Sequence, residues 1–167
     1  MFIVLDNFLA DPMRVRNSVL ACGLGTWRPS KGRSGADYYD GLGFYGDHAP
    51  VIETIYKRVG MIGYPNSMVF RVTNENTDKG VIHSDEGAGD TTCFLYLSSH
   101  PGRYGTAFYE KKDDGWKELE FVNGAFNRAV IFKSSTYHQR FPLNGFGNDS
   151  VTGRLVWVGH FRNGELP

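Results

Sequence analysis

The chain has 167 residues, 41% of them hydrophobic and 22% charged, which suits a folded domain with a sizeable core and excludes a disordered or fibrous chain. Lys plus Arg and Asp plus Glu each number 18, so there is no global basic field to steer the protein to nucleic acid, which is not expected as a partner. Cys22 and Cys93 are too few for a disulfide framework, and Met1 to Asp6 lacks the basic and apolar runs of a leader. No apolar run approaches the ~20 residues of a membrane span, and the expectation is a cytoplasmic protein.

Phe2 to Leu5 reads as a short buried strand. Asp11 as N-cap and Pro12 at the first helical position open a helix that Gly23 and Gly25 stop, with Met13, Val15, Val19, Leu20 and Cys22 on its apolar side. Residues 26–47 are rich in Gly and aromatics without a clean period, which predicts a long ordered loop; Trp27, Tyr38, Tyr39 and Tyr45 could line a substrate mouth or plug the end of a barrel. A second helix is expected from Ala49 to Val59, with Val51, Ile52, Ile55 and Tyr56 on its apolar face. From Ser67 onward the pattern is strands: Met68 to Val72, a start at Val81 to His83, Thr92 to Ser98, and a hairpin of Tyr104 to Glu110 with Lys117 to Val122. Ala129 to Phe132, Gln139 to Phe141 and Arg154 to Phe161 bring the count to about eight. Two helices followed by a run of strands predict an α+β, mainly β fold in a single domain, residues 1–66 supporting a core at 67–162.

The chemistry centres on His83-Ser84-Asp85 and His138, 55 residues further on. On an extended segment His83 and Asp85 point to one side, and a second histidine from a neighbouring strand completes two imidazoles and a carboxylate. That donor set holds one face of an octahedron and leaves the other open, as iron-dependent O₂ chemistry requires. H-x-D alone is a weak signal. His48, His100 and His160 lack this context and are expected to be structural or surface groups. In Thr92 to Ser98, Thr92, Phe94 and Tyr96 share one face, and Cys93, Leu95 and Leu97 the other. Arg154, in a strand of Leu, Val and Trp, needs either a core carboxylate or an anionic ligand as counter-ion.

Six pieces, in order and spacing, carry a resemblance: HSD at 83–85, TCFLYLS at 92–98, GTAFYE at 105–110, NRAVIF at 127–132, YHQ at 137–139 and GRLVWVGHF at 153–161. Over a little more than half its length the chain resembles the catalytic core of the Fe(II)- and 2-oxoglutarate-dependent dioxygenases, in their prolyl-hydroxylase-like branch. The resemblance implies a double-stranded β-helix, a cupin-like jelly roll with the two N-terminal helices on one sheet. It implies Fe(II) held by His83, Asp85 and His138, with Arg154 taking the distal carboxylate of the co-substrate 2-oxoglutarate. Tyr96 could donate to that carboxylate with help from Thr92, or be a core tyrosine. O₂ and a peptide residue such as proline, or a small molecule, are the implied reactants. Arg71, Tyr38, Tyr39 and Arg140 are the candidates for substrate contact. Halogenating relatives replace the carboxylate by a small residue, so Asp85 points to hydroxylation. The alternatives are a cupin-like protein holding Zn²⁺, Mn²⁺ or Ni²⁺ without 2-oxoglutarate, and a non-enzymatic binding module using the aromatic loop.

Overall fold

The structure is a computed structural model that describes residues 2–22, 28–29, 42–44 and 47–165. Strand β1 (Phe2–Leu5) leads into helix α1 (Pro12–Ala21), where Asp11 accepts a hydrogen bond from the Arg14 backbone N–H at 3.0 Å and Pro12 occupies the first turn. Helix α1 turns Val15 and Val19 inward. Strands β2 (Arg28–Pro29) and β3 (Leu42–Phe44) precede helix α2 (Ala49–Val59). Helix α2 buries Val51, Ile55 and Val59, four residues apart, and ends on Gly60 at φ 67°, a left-handed cap that glycine adopts without steric cost.

Seven further strands follow: β4 (Ile62–Thr73), β5 (Thr91–Tyr96), β6 (Gly105–Lys112), β7 (Gly115–Asn123), β8 (Arg128–Lys133), β9 (Tyr137–Phe141) and β10 (Arg154–Glu165). Among the described residues they form two antiparallel sheets, one ordered β1-β8-β5-β10-β4-β3-β2 and one ordered β7-β6-β9. The alternation expected in residues 92–98 sorts the core into two layers. Cys93, Leu95 and Leu97 join Leu155, Trp157 and the inward faces of α1 and α2 on one side of the large sheet. Phe94 and Tyr96 join Val130, Phe132, Val156 and Val158, facing Tyr104, Phe108 and Val122 from the β6–β7 side. The helices therefore cover the outer face of the large sheet, and the small sheet closes over its inner face.

The differences from the sequence expectation concern extent. Strand β4 begins six residues before Met68, because its polar first half, Tyr64 to Ser67, pairs with the far end of β10 where no apolar alternation announces it. Strand β10 likewise runs past Phe161 to Glu165. Val81 to His83 is not a continuous strand; only His83 makes a bridge, to His138. Within the expected loop 26–47, Leu42 to Phe44 pairs with β4 and with Arg28-Pro29. Tyr38, Tyr39, Trp27 and Tyr45 lie outside the described residues.

Candidate metal centre

His83 and His138 are brought together by backbone pairing. The His83 N–H donates to the His138 carbonyl at 3.1 Å, and the His138 N–H returns a bond to the His83 carbonyl at 2.8 Å. Residues paired reciprocally in this way place their side chains on the same face, and the two rings lie 4.5 Å apart between centroids. Asp85, two residues on, follows the same period and is anchored by its N–H donating to the Ser134 carbonyl at 2.7 Å. One ligand atom from each of His83, Asp85 and His138 falls within 4.8 Å of the others.

The ring tautomers follow from the partners. His83 Nδ1 lies 2.9 Å from the Val81 carbonyl and His138 Nδ1 lies 3.0 Å from the Thr136 carbonyl. A carbonyl can only accept, so both rings carry their proton on Nδ1, and in the neutral ring Nε2 is then a bare lone pair. Those Nε2 atoms face the carboxylate, at 3.7 Å from Asp85 Oδ1 for His83 and 3.4 Å from Oδ2 for His138. Burial pushes the His138 pKa down to about 4, against the Asp85 charge, so that ring is neutral at physiological pH. Burial alone would raise the Asp85 carboxyl, but the imidazoles of His160, His138 and His83 overcome it and hold the group well below the usual carboxylate range. The imidazole Nε2 atoms and the carboxylate therefore converge on one small space that a cation could fill.

The donor set fits iron. Two neutral imidazoles and one carboxylate, each imidazole oriented by a carbonyl behind it, form the arrangement of non-haem Fe(II) oxygenases. The site opens on the His83 side, where the side chain is 48% exposed against 3% for His138. Phe94 and Phe132 meet the His138 ring edge-on at 5.4 and 5.0 Å.

The remaining candidates divide between the two ends of the inner face. Thr92 lies at the metal end and not beside Arg154: its hydroxyl donates to Asp85 Oδ2 at 3.3 Å and pairs with the Ser134 hydroxyl at 2.8 Å. Arg154 is 5% exposed, with Nε buried and unbonded and no ion pair to a carboxylate among the described residues. Its guanidinium lies 5.8 and 5.7 Å from the ring centroids of Tyr96 and Tyr104. Tyr96 is fully buried and shares its hydroxyl with Thr106 at 2.7 Å. Arg71 sits on β4 opposite Val156. Arg140, on the same face of β9 as His138, bonds the backbone carbonyls of Leu143 and Asp78.

His160 was expected to be structural or surface, yet the structure brings it to the metal centre. It is paired in register with Thr92 and so shares the inner face with Val156 and Val158. The signal available in the sequence was its period-2 spacing from Arg154 along one strand face. His48 is structural, accepting a hydrogen bond from Trp157 Nε1 at 3.0 Å. His100 stacks on Phe146 with centroids 4.5 Å apart.

No protein-family profile and no curated protein sequence matches the chain. Solved structures do. One is the non-heme alpha-ketoglutarate-dependent carbocyclase SnoK from nogalamycin biosynthesis, at TM-score 0.65 and 11% identity over 96% of this chain and 79% of that one. Another is a Pseudomonas putida prolyl-4-hydroxylase, at TM-score 0.53 and 17% identity over 96% of this chain and 91% of that one. The fold is that of 2-oxoglutarate-dependent oxygenases. No helix among the described residues is long and apolar enough to cross a membrane.

Proposed function

We propose that the protein is an Fe(II)- and 2-oxoglutarate-dependent oxygenase of the prolyl-hydroxylase-like branch, its two sheets forming a jelly-roll core in a single domain. The observation that carries the proposal is the convergence of one ligand atom each from His83, Asp85 and His138 to within 4.8 Å of one another, with both imidazoles oriented by carbonyls behind them. Bound Fe(II) would supply the O₂ chemistry, coupling oxidative decarboxylation of 2-oxoglutarate to succinate and CO₂ with oxidation of a substrate C–H bond.

The protein's own residues orient and shelter. The Val81 and Thr136 carbonyls fix both imidazoles with Nε2 forward, so the ligands are aimed before the ion arrives. Arg154, with no protein carboxylate beside it among the described residues, offers a planar fork to the distal carboxylate of a diacid. Tyr96 and Tyr104 flank that guanidinium and exclude water from it. The half-exposed His83 side is the open approach, where a peptide residue or small molecule would meet the centre, with hydroxylation as the expected outcome.

Anaerobic titration with Fe(II) and then 2-oxoglutarate tests the assignment. The expected result is a weak visible charge-transfer band that requires both components, with succinate formed on admitting air. A protein that binds the metal but shows neither response to 2-oxoglutarate is the cupin-like alternative. One that binds a partner with the metal chelated is a binding module.

A further inference from the structure

We propose that His160 is a positioning residue for the metal-binding carboxylate, its Nε2–H donating to Asp85 Oδ2 and holding that group turned toward His83 and His138; the inference rests on the metal centre described above. His160 Nε2 lies 3.4 Å from Asp85 Oδ2 with its side chain 12% exposed, and neither ring nitrogen has an aligned hydrogen-bond partner. An imidazole left in that condition is costly, and a small rotation that aligns Nε2–H with Oδ2 satisfies its donor and adds a donor to a buried carboxylate.

His160 differs from the two ligand histidines in what stands behind it. They hold their Nδ1 protons against carbonyls, which leaves Nε2 bare toward Asp85. Among the described residues His160 has no such carbonyl, so its ring proton is free to sit on Nε2 and point at the oxygen. It also falls outside the three-residue group whose ligand atoms lie within 4.8 Å of one another, so it contacts the carboxylate without joining the ligand cluster. Thr92 Oγ1 approaches the same oxygen at 3.3 Å and is itself backed by Ser134. Two donors from adjacent strands, β5 and β10, thus converge on Oδ2 and define the carboxylate's orientation.

The test uses Co(II) as probe, with its dissociation constant measured by calorimetry for the whole chain and for His160→Phe and His160→Gln. Removing an outer hydrogen-bond partner of a metal ligand typically weakens affinity by about 10- to 100-fold. His160→Phe is expected to fall in that range, and His160→Gln, which restores an amide donor at similar reach, to recover most of the loss. Thermal unfolding of each metal-free variant shows that it is folded, and His160→Leu serves if phenylalanine is not accommodated. Unchanged Co(II) affinity in the folded Phe or Leu variant overturns the proposal. Equal losses in Gln and Phe also overturn it, since they would mark the imidazole as a ligand or as packing alone. If the unmodified protein binds no Co(II), the metal centre itself fails, which is distinct from normal binding that ignores His160.

Discussion

Replacing Arg154 by methionine should make the resting protein more stable and less able to respond to 2-oxoglutarate. The guanidinium is 5% exposed, lacks a carboxylate partner among the described residues, and keeps a buried, unbonded Nε. Burial lowers its pKa, and the neighbouring charges of Arg140 and Arg71 push in the same direction, against the favourable Tyr104 and Tyr96. An uncompensated buried charge costs about 3–5 kcal/mol. Against that stand two aromatic contacts at 5.7–5.8 Å, near the outer limit of a cation–π interaction and together worth about 1 kcal/mol. Methionine fills a similar volume with an apolar chain, so the net gain is about 2–4 kcal/mol, or about 4–16 °C in Tm for a domain of this size.

Differential scanning calorimetry of the metal-free protein reads the first effect. The second is read with Co(II) and 2-oxoglutarate present. A ligand at 100 times its Kd stabilises by about 2.7 kcal/mol, so the unmodified protein should gain several degrees on adding the diacid and Arg154→Met should gain almost none. A methionine variant less stable than the parent without 2-oxoglutarate would refute the reasoning, because the charge would then be compensated in the resting state.

Three further outcomes are expected. His83→Ala should abolish Co(II) binding and succinate production while leaving metal-free stability within about 0.5 kcal/mol, since the ring is half-exposed and bonded only to its own segment; undiminished turnover would refute its place as a ligand. Stability should fall as pH drops below 6.5, in part through His48. Burial lowers its pKa, against the pull of Asp47, and its Nδ1 must stay unprotonated to accept from Trp157 at the head of α2, where positive charge is disfavoured. The unfolded chain therefore takes up the proton first, so the loss runs from pH 6.5 down to the lower folded value, and His48→Gln should flatten it in pH-resolved thermal melts. Gly159→Ala should destabilise by about 1–3 kcal/mol in denaturant titration, because an added Cβ would overlap the Trp157 ring.

Much of the candidate site was legible because its donor residues obey short-range rules. His83 and Asp85 two residues apart, and the alternation from Thr92 to Tyr96, fix which side chains face inward without any knowledge of the rest of the chain. What the sequence could not announce depends on pairing between distant strands. His160 enters the centre only because β10 lies in register with β5 and sets it opposite Thr92. Strand β4 was seen over its apolar half alone, since Tyr64, Pro65 and Ser67 are held by pairing with β10 and not by a buried face. The roles of Arg71 and Arg140 were open for a related reason: long side chains on an inner face can reach backbone carbonyls as readily as a ligand, and Arg140 does so.

The inner face carries two imbalances of opposite sign. At one end, two imidazoles and a carboxylate converge; at the other, a buried guanidinium keeps an unbonded Nε and has no carboxylate partner among the described residues. Neither end can relieve the other directly, because each side chain is fixed in place, the histidines by carbonyls and Arg154 between two tyrosine rings. A cation at the first end and a dianion spanning to the second would cancel both, and each would strengthen the hold on the other through the low-dielectric space between them. Metal and 2-oxoglutarate should therefore bind with positive coupling. By linkage, the factor by which Co(II) tightens 2-oxoglutarate must equal the factor by which 2-oxoglutarate tightens Co(II). Calorimetric titrations in both orders measure that factor, and additive binding would mean that the two ends do not serve one ligand pair.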